Sequence, residues 1–206
     1  MSTAQPDRSK IDEFIRVLSG EDELGAVVRA HIHIEALLFK LLGLLVKDED
    51  YLRKLNLEFS QCVDLAVALG LGREHAKGLR AFGGLRNEFA HNLDSELSEG
   101  RVNNLYESLS ATDKEVVQVA YVQTNSQLGV SPPKFKDLTP KERFVLIAVA
   151  LRGMLEVALL EVQKNQSISF LVEIAKQPPA CDALNGRVPA CISPSCRITV
   201  SAFALG

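Results

Sequence analysis

From Glu21 to about Lys47 the chain carries Leu24, Val27, Val28, Ile34, Leu37, Leu38, Leu41, Leu42 and Leu45 at three- and four-residue intervals. That is the period of a helix, and the apolar positions occupy so much of its circumference that neighbours must cover it from more than one side. The expected fold is therefore all-α, a helical bundle arranged around one long central helix. With 206 residues, 47% of them hydrophobic, the chain is long enough to bury a substantial core.

Other segments read the same way. Ile11, Phe14, Ile15 and Leu18 make a short amphipathic helix that stops at Gly20. Ser60 is placed to cap a helix running to Ala68 or Leu69, and Gly70-Leu71-Gly72 turns the chain into another. Thr112 with Glu115, and Thr139 with Glu142 around Pro140, both have capping-box spacing; the second opens a last long helix, about Pro140 to Lys164. Residues 124 to 138, with Gly129, Pro132 and Pro133, read as a loop. From Gln177 onward Pro178, Pro179, Gly186, Pro189 and Pro194 break any period. The expected organisation is an N-terminal helix or arm over 1–20, an all-helical domain over 21–176 and a weakly ordered tail over 177–206.

Charge and targeting signals narrow the class. A formal net charge of -3 argues against a surface built for nucleic acid, although it leaves room for a local basic groove. Met1 to Lys10 lack the apolar core of a signal peptide, and the longest apolar run, Ala36 to Val46, is interrupted by Lys40 and too short for a bilayer. The expectation is a soluble cytoplasmic protein that does not engage membranes. Cys62 falls in an apolar helical setting; Cys181, Cys191 and Cys196 have no metal-ligand spacing, so reduced thiols are expected.

The chemistry-bearing segment is Leu85-Arg86-Asn87-Glu88-Phe89-Ala90-His91-Asn92. It combines a cation suited to phosphate, an amide and an imidazole that titrates near neutral pH. On a helix Asn87 and His91 lie one turn apart on one face, while Arg86 sits about 140° round from His91. Leu79, Phe82, Leu85 and Phe89 supply the apolar stripe that anchors this helix in a core. Arg86 can serve phosphate, or pair with an acid such as Glu35 on the central helix. His31 and Glu35, also one turn apart, can form a hydrogen bond or supply two metal ligands if His91 supplies a third. His31 and His33 lie about 200° apart and cannot share a metal. No metal or other cofactor is expected. His75, near a helix start among charges, reads as solvated.

Taken in order, the blocks 24–51, 59–72 and 85–92, the Pro132-Pro133 loop and the closing helix over 141–162 resemble the mannitol operon repressor family. The resemblance implies an all-helical regulator of mannitol uptake and metabolism with no obvious DNA-reading element. Arg86 and His91, with four residues between them, also resemble the wider HEPN superfamily, whose ribonucleases carry Arg, a following polar residue and His at this spacing. On that resemblance Arg86, Asn87 and His91 would be catalytic, in metal-independent cleavage of RNA across a shared cleft of a homodimer. His91 would transfer protons and Arg86 would stabilise phosphorane charge. The tail after Gln177 departs from both patterns.

A DNA-binding reading rests on the Gly70-Leu71-Gly72 turn followed by Arg73, Lys77 and Arg80, the outline of a helix-turn-helix. Against it, Arg73 to Glu99 holds four cations and five acids. The expected partners are a second copy of the chain and a protein or RNA, with direct binding to DNA less favoured. Repression through macromolecular contacts is the leading expectation, and endoribonuclease action the alternative.

Overall fold

A computed structural model of the chain describes residues 8–92, 95–127 and 135–176. Among the described residues there is no strand, and eight α-helices pack together. They are α1 (Arg8–Gly20), α2 (Glu23–Leu45), α3 (Glu49–Lys54), α4 (Phe59–Ala68), α5 (Ala76–His91), α6 (Glu99–Ser108), α7 (Ala111–Gln127) and α8 (Pro140–Lys176). A 3-10 turn, Arg73–His75, precedes α5, and a second, Phe135–Asp137, precedes α8.

The central helix is α2, as its apolar girth requires. It packs along α8 and is flanked by α1, α3, α4 and α5. Ala26, Ala30, Ile34, Leu38 and Leu42 on it are wholly buried. Asp22 starts the helix by accepting a 2.6 Å hydrogen bond from the Gly25 amide, satisfying one of the donors a first turn leaves open. Glu23 reaches outside the helix, accepting from the Leu97 amide at 2.7 Å and tying the segment before α6 to the start of α2.

Three starts and one end differ from the sequence expectation. The cap of α4 is Glu58, whose amide donates to the Gln61 side chain at 2.9 Å in a reciprocal capping box, so Ser60 lies inside the helix. Ser110, rather than Thr112, caps α7, its hydroxyl accepting from the Asp113 amide at 3.0 Å. The helix expected at Arg73 opens as the 3-10 turn and becomes α-helical only at Ala76. The Thr139–Glu142 box does open α8: the Thr139 amide donates to Glu142 at 2.8 Å and the Glu142 amide to Thr139 at 3.3 Å. That helix runs to Lys176, twelve residues past Lys164, because no glycine or proline lies between Gly153 and Gln177 to stop it. The expected tail over 177–206, with its three cysteines, lies outside the described residues, as do 1–7 and the Pro132-Pro133 segment. Within the expected loop over 124–138, α7 extends to Gln127 and a 3-10 turn follows at Phe135.

For function, the relevant consequence is the seat of α5. Phe82 is buried and stacks on Phe144 of α8, with centroids 5.8 Å apart and planes within 5°. Gly83 lets α4 come close: a Cβ there would lie 2.6 Å from the Phe59 ring. The helix that carries Arg86, Asn87 and His91 is thereby fixed against α2, α4 and α8.

Candidate functional site

Five residues singled out in the sequence meet in one cleft, with a volume near 540 Å³. From α2 come His31 and Glu35; from α5 come Arg86, Asn87 and His91. The N-terminal end of α4 contributes Glu58, Phe59 and Ser60, and Arg80, Gly83 and Gly84 complete the α5 wall. Gly84 has open space where a Cβ would stand, so bare backbone forms part of the lining. Helical period placed α5 correctly but was silent about α4, which arrives through the tertiary packing that Gly83 permits.

Arg86 is half-buried, and its Nη1 donates to the Asn87 side-chain oxygen at 3.0 Å. Among the described residues its guanidinium forms no ion pair with a carboxylate, so the expected pairing with Glu35 is not made. Arg80, by contrast, is held by Asp64. Asn87 and His91 are exposed, and both face solvent.

His31 is the floor. Only 3% exposed, it lies between Phe59, at 4.6 Å centroid separation, and Phe82, on which it stacks at 6.2 Å. Burial first, and the nearby positive charge of Arg86 second, push its pKa down to about 4, so the imidazole is neutral at pH 7. Its Nδ1 stands 3.8 Å from Glu35 Oε2, beyond hydrogen-bond reach. The expected His31–Glu35 hydrogen bond is thus absent, because the two phenyl rings set the imidazole's orientation. His33 turns elsewhere, its ring edge on Phe14 at 5.1 Å. Among the described residues, no three His, Cys, Asp or Glu side chains are grouped to hold a metal ion.

Below the cleft, the Cys62 thiol is buried and donates to the Leu57 carbonyl at 3.8 Å. Burial, followed by the charge of Glu35, raises its pKa to about 11, which keeps it a thiol.

His75 is where sequence reading fell short. It is only 16% exposed at the side chain, and its Nδ1 lies 2.9 Å from Oδ1 of the buried Asp113. Asp113 also accepts from the Ser110 hydroxyl at 2.8 Å. The hydrogen bond to Asp113 raises the His75 pKa against the opposing effect of burial. Hydrogen bonds from His75 and Ser110 lower that of Asp113, although burial alone would raise it. The 38 residues separating the pair in sequence carry no period that announces it.

The fold and site together define an all-α bundle with a surface cleft carrying an arginine, an amide and two imidazoles of different character. Neither the models of protein families, nor the curated proteins, nor the solved structures include a match to this chain. Among the described residues no helix is long and apolar enough to cross a membrane.

Proposed function

We propose that the chain is a transcriptional regulator of the mannitol operon repressor type, acting by macromolecular contact at the Arg86–Asn87–His91 cleft rather than by catalysis. One observation carries this: the Arg86 guanidinium is steadied on Asn87 yet spends its charge on no carboxylate of the described chain, so it stands ready for an anionic group brought by a partner. The half-buried setting strengthens such a contact relative to one in open water.

Binding is favoured over cleavage because of the histidines. Metal-independent RNA cleavage needs a base for the 2′-hydroxyl and an acid for the leaving oxygen. His91 faces solvent and can move protons, but His31 is buried between two phenyl rings and held neutral. One subunit thus offers the cleft one solvent-facing imidazole. The endoribonuclease reading is favoured by one specific fact, that Arg86 and His91 line the same cleft. It requires a second copy to place another His91 across an interface, so it requires a homodimer whose two clefts face each other.

The test is repression in a host whose mannitol operon drives a reporter. The wild-type chain lowers expression; Arg86→Gln, which keeps a polar side chain but removes the charge, restores most of it at equal protein level. Equal repression by both, or none by either, overturns the proposal.

A further inference from the structure

A second, larger cavity among the described residues shares no lining residue with the cleft. It has a volume near 940 Å³ and lies between α1, the C-terminal half of α2, the turn at Leu69–Gly72, the start of α7 and one face of α8. On α8 its lining begins at Leu146 and continues through Val149, Gly153, Val157 and Glu161 to Asn165, an unbroken three-to-four stripe. At 1.5 Å per residue that stripe is about 28 Å long. A trough of this length is a poor fit for one small molecule and a good one for a helix of about five turns.

Two independent features point to what it receives. Leu69, Val116 and Val157 stand on its edge 36%, 41% and 40% exposed, three of the large apolar side chains that the described structure leaves in water. Its lining holds four acids, Asp12, Glu74, Asp113 and Glu161, against His75 as the one group able to carry positive charge, with no lysine or arginine. Asp113 and Glu74 both face His75, at 2.9 Å and 3.8 Å, whereas the carboxylates of Asp12 and Glu161 form no ion pair among the described residues. Apolar walls with free acids on α1 and on α8 complement a helix that is apolar along one face and basic beside it.

We propose that this groove docks a basic amphipathic helix of a partner protein. The net charge of -3 makes a second copy of the acidic chain a poorer complement than a cationic segment. This surface is independent of the cleft, and its test does not depend on repression.

Gly153 supplies the decisive variant, because a Cβ there meets no atom within 4 Å and a large side chain enters the groove without displacing its walls. The probe is a fluorescein-labelled, 20-residue helical peptide with leucines at i, i+3, i+4 and i+7 and flanking lysines; a twin has glutamates for the lysines. Full-length protein binds the lysine peptide at least tenfold tighter than the glutamate twin in fluorescence anisotropy. Gly153→Trp weakens it at least tenfold, while Gly100→Trp, equal in charge and equally open but on α6, binds like wild type. Circular dichroism melts verify that both variants fold. Equal affinity for the two peptides, or undiminished binding by folded Gly153→Trp, overturns the proposal. So does a shift of the full chain from dimer to monomer on Gly153→Trp in sedimentation velocity, which would assign the groove to a second copy.

Discussion

Protonating His31 should act as an acid-sensitive weakness in the core beneath the cleft. Its pKa is 6.5 in an unfolded chain and about 4 in the folded one. Between those values the unfolded chain binds the extra proton, so stability rises with pH across the window and levels off above 6.5. At about 1.4 kcal/mol per pH unit, the site costs about 2 kcal/mol between pH 7 and pH 5, and about 3 kcal/mol by pH 4. His31→Gln removes the titration while keeping a neutral polar side chain between Phe59 and Phe82. Carboxylates also contribute to acid unfolding, so the informative quantity is the difference between the two proteins. Urea unfolding at pH 5 and pH 7 should show wild type losing about 2 kcal/mol more than His31→Gln. Arg86→Gln should shrink that loss, because the guanidinium is the second cause of the depressed pKa. Identical pH dependence of wild type and His31→Gln would refute the placement of His31 as a buried neutral base.

Further outcomes follow from packing and pairing. Gly84→Ala should stabilise by up to about 1 kcal/mol, since the methyl meets open space and the helix gains propensity. Gly83→Ala should instead come out about 1–3 kcal/mol less stable than Gly84→Ala, since its methyl drives into the Phe59 ring; equal stabilities in urea would contradict that close approach. Phe82→Ala, which empties the site between His31 and Phe144, should cost about 3–5 kcal/mol in the same assay, and a loss under 1 kcal/mol would be inconsistent with its burial. For the His75–Asp113 pair the signs are opposite. The raised His75 pKa gives stability that is full below pH 6.5 and is lost as pH rises through its folded value. The lowered Asp113 pKa gives stability that is present above about pH 3.8 and is lost as pH falls through its folded value. His75→Gln should therefore flatten the alkaline decline of thermal stability seen in wild type, and an unchanged decline would count against the pairing.

The helices were legible wherever a local period or cap specifies them. The apolar girth of α2 announced a central helix, and Thr139-Pro140 with Glu142 announced the start of α8 within a residue. The short α3 and α6 were not announced: α3 spans six residues, and α6 buries only Val102, Leu105 and Ser108, too few to set a period. The cleft was half legible. Helical spacing put Asn87 and His91 together and singled out His31 and Glu35, but the meeting of α2 with α5 depends on tertiary approach. Arg86 shows the limit of wheel geometry most plainly. Its backbone direction could not say whether the guanidinium would take Glu35 or Asn87, because a long side chain has many rotamers and the choice is made by neighbours. His75 failed for a related reason: its partner is on another helix, and a single charged dyad leaves no repeat to read.

Whether the Arg86–His91 cleft binds or cuts is decided most directly by incubating single-stranded RNA with the purified full-length chain and with His91→Ala, in chelator and without added metal. Both proteins should give the same background cleavage, because one subunit offers the cleft a single solvent-facing imidazole. Cleavage by wild type that disappears in a folded His91→Ala would contradict it and make the cleft an active site.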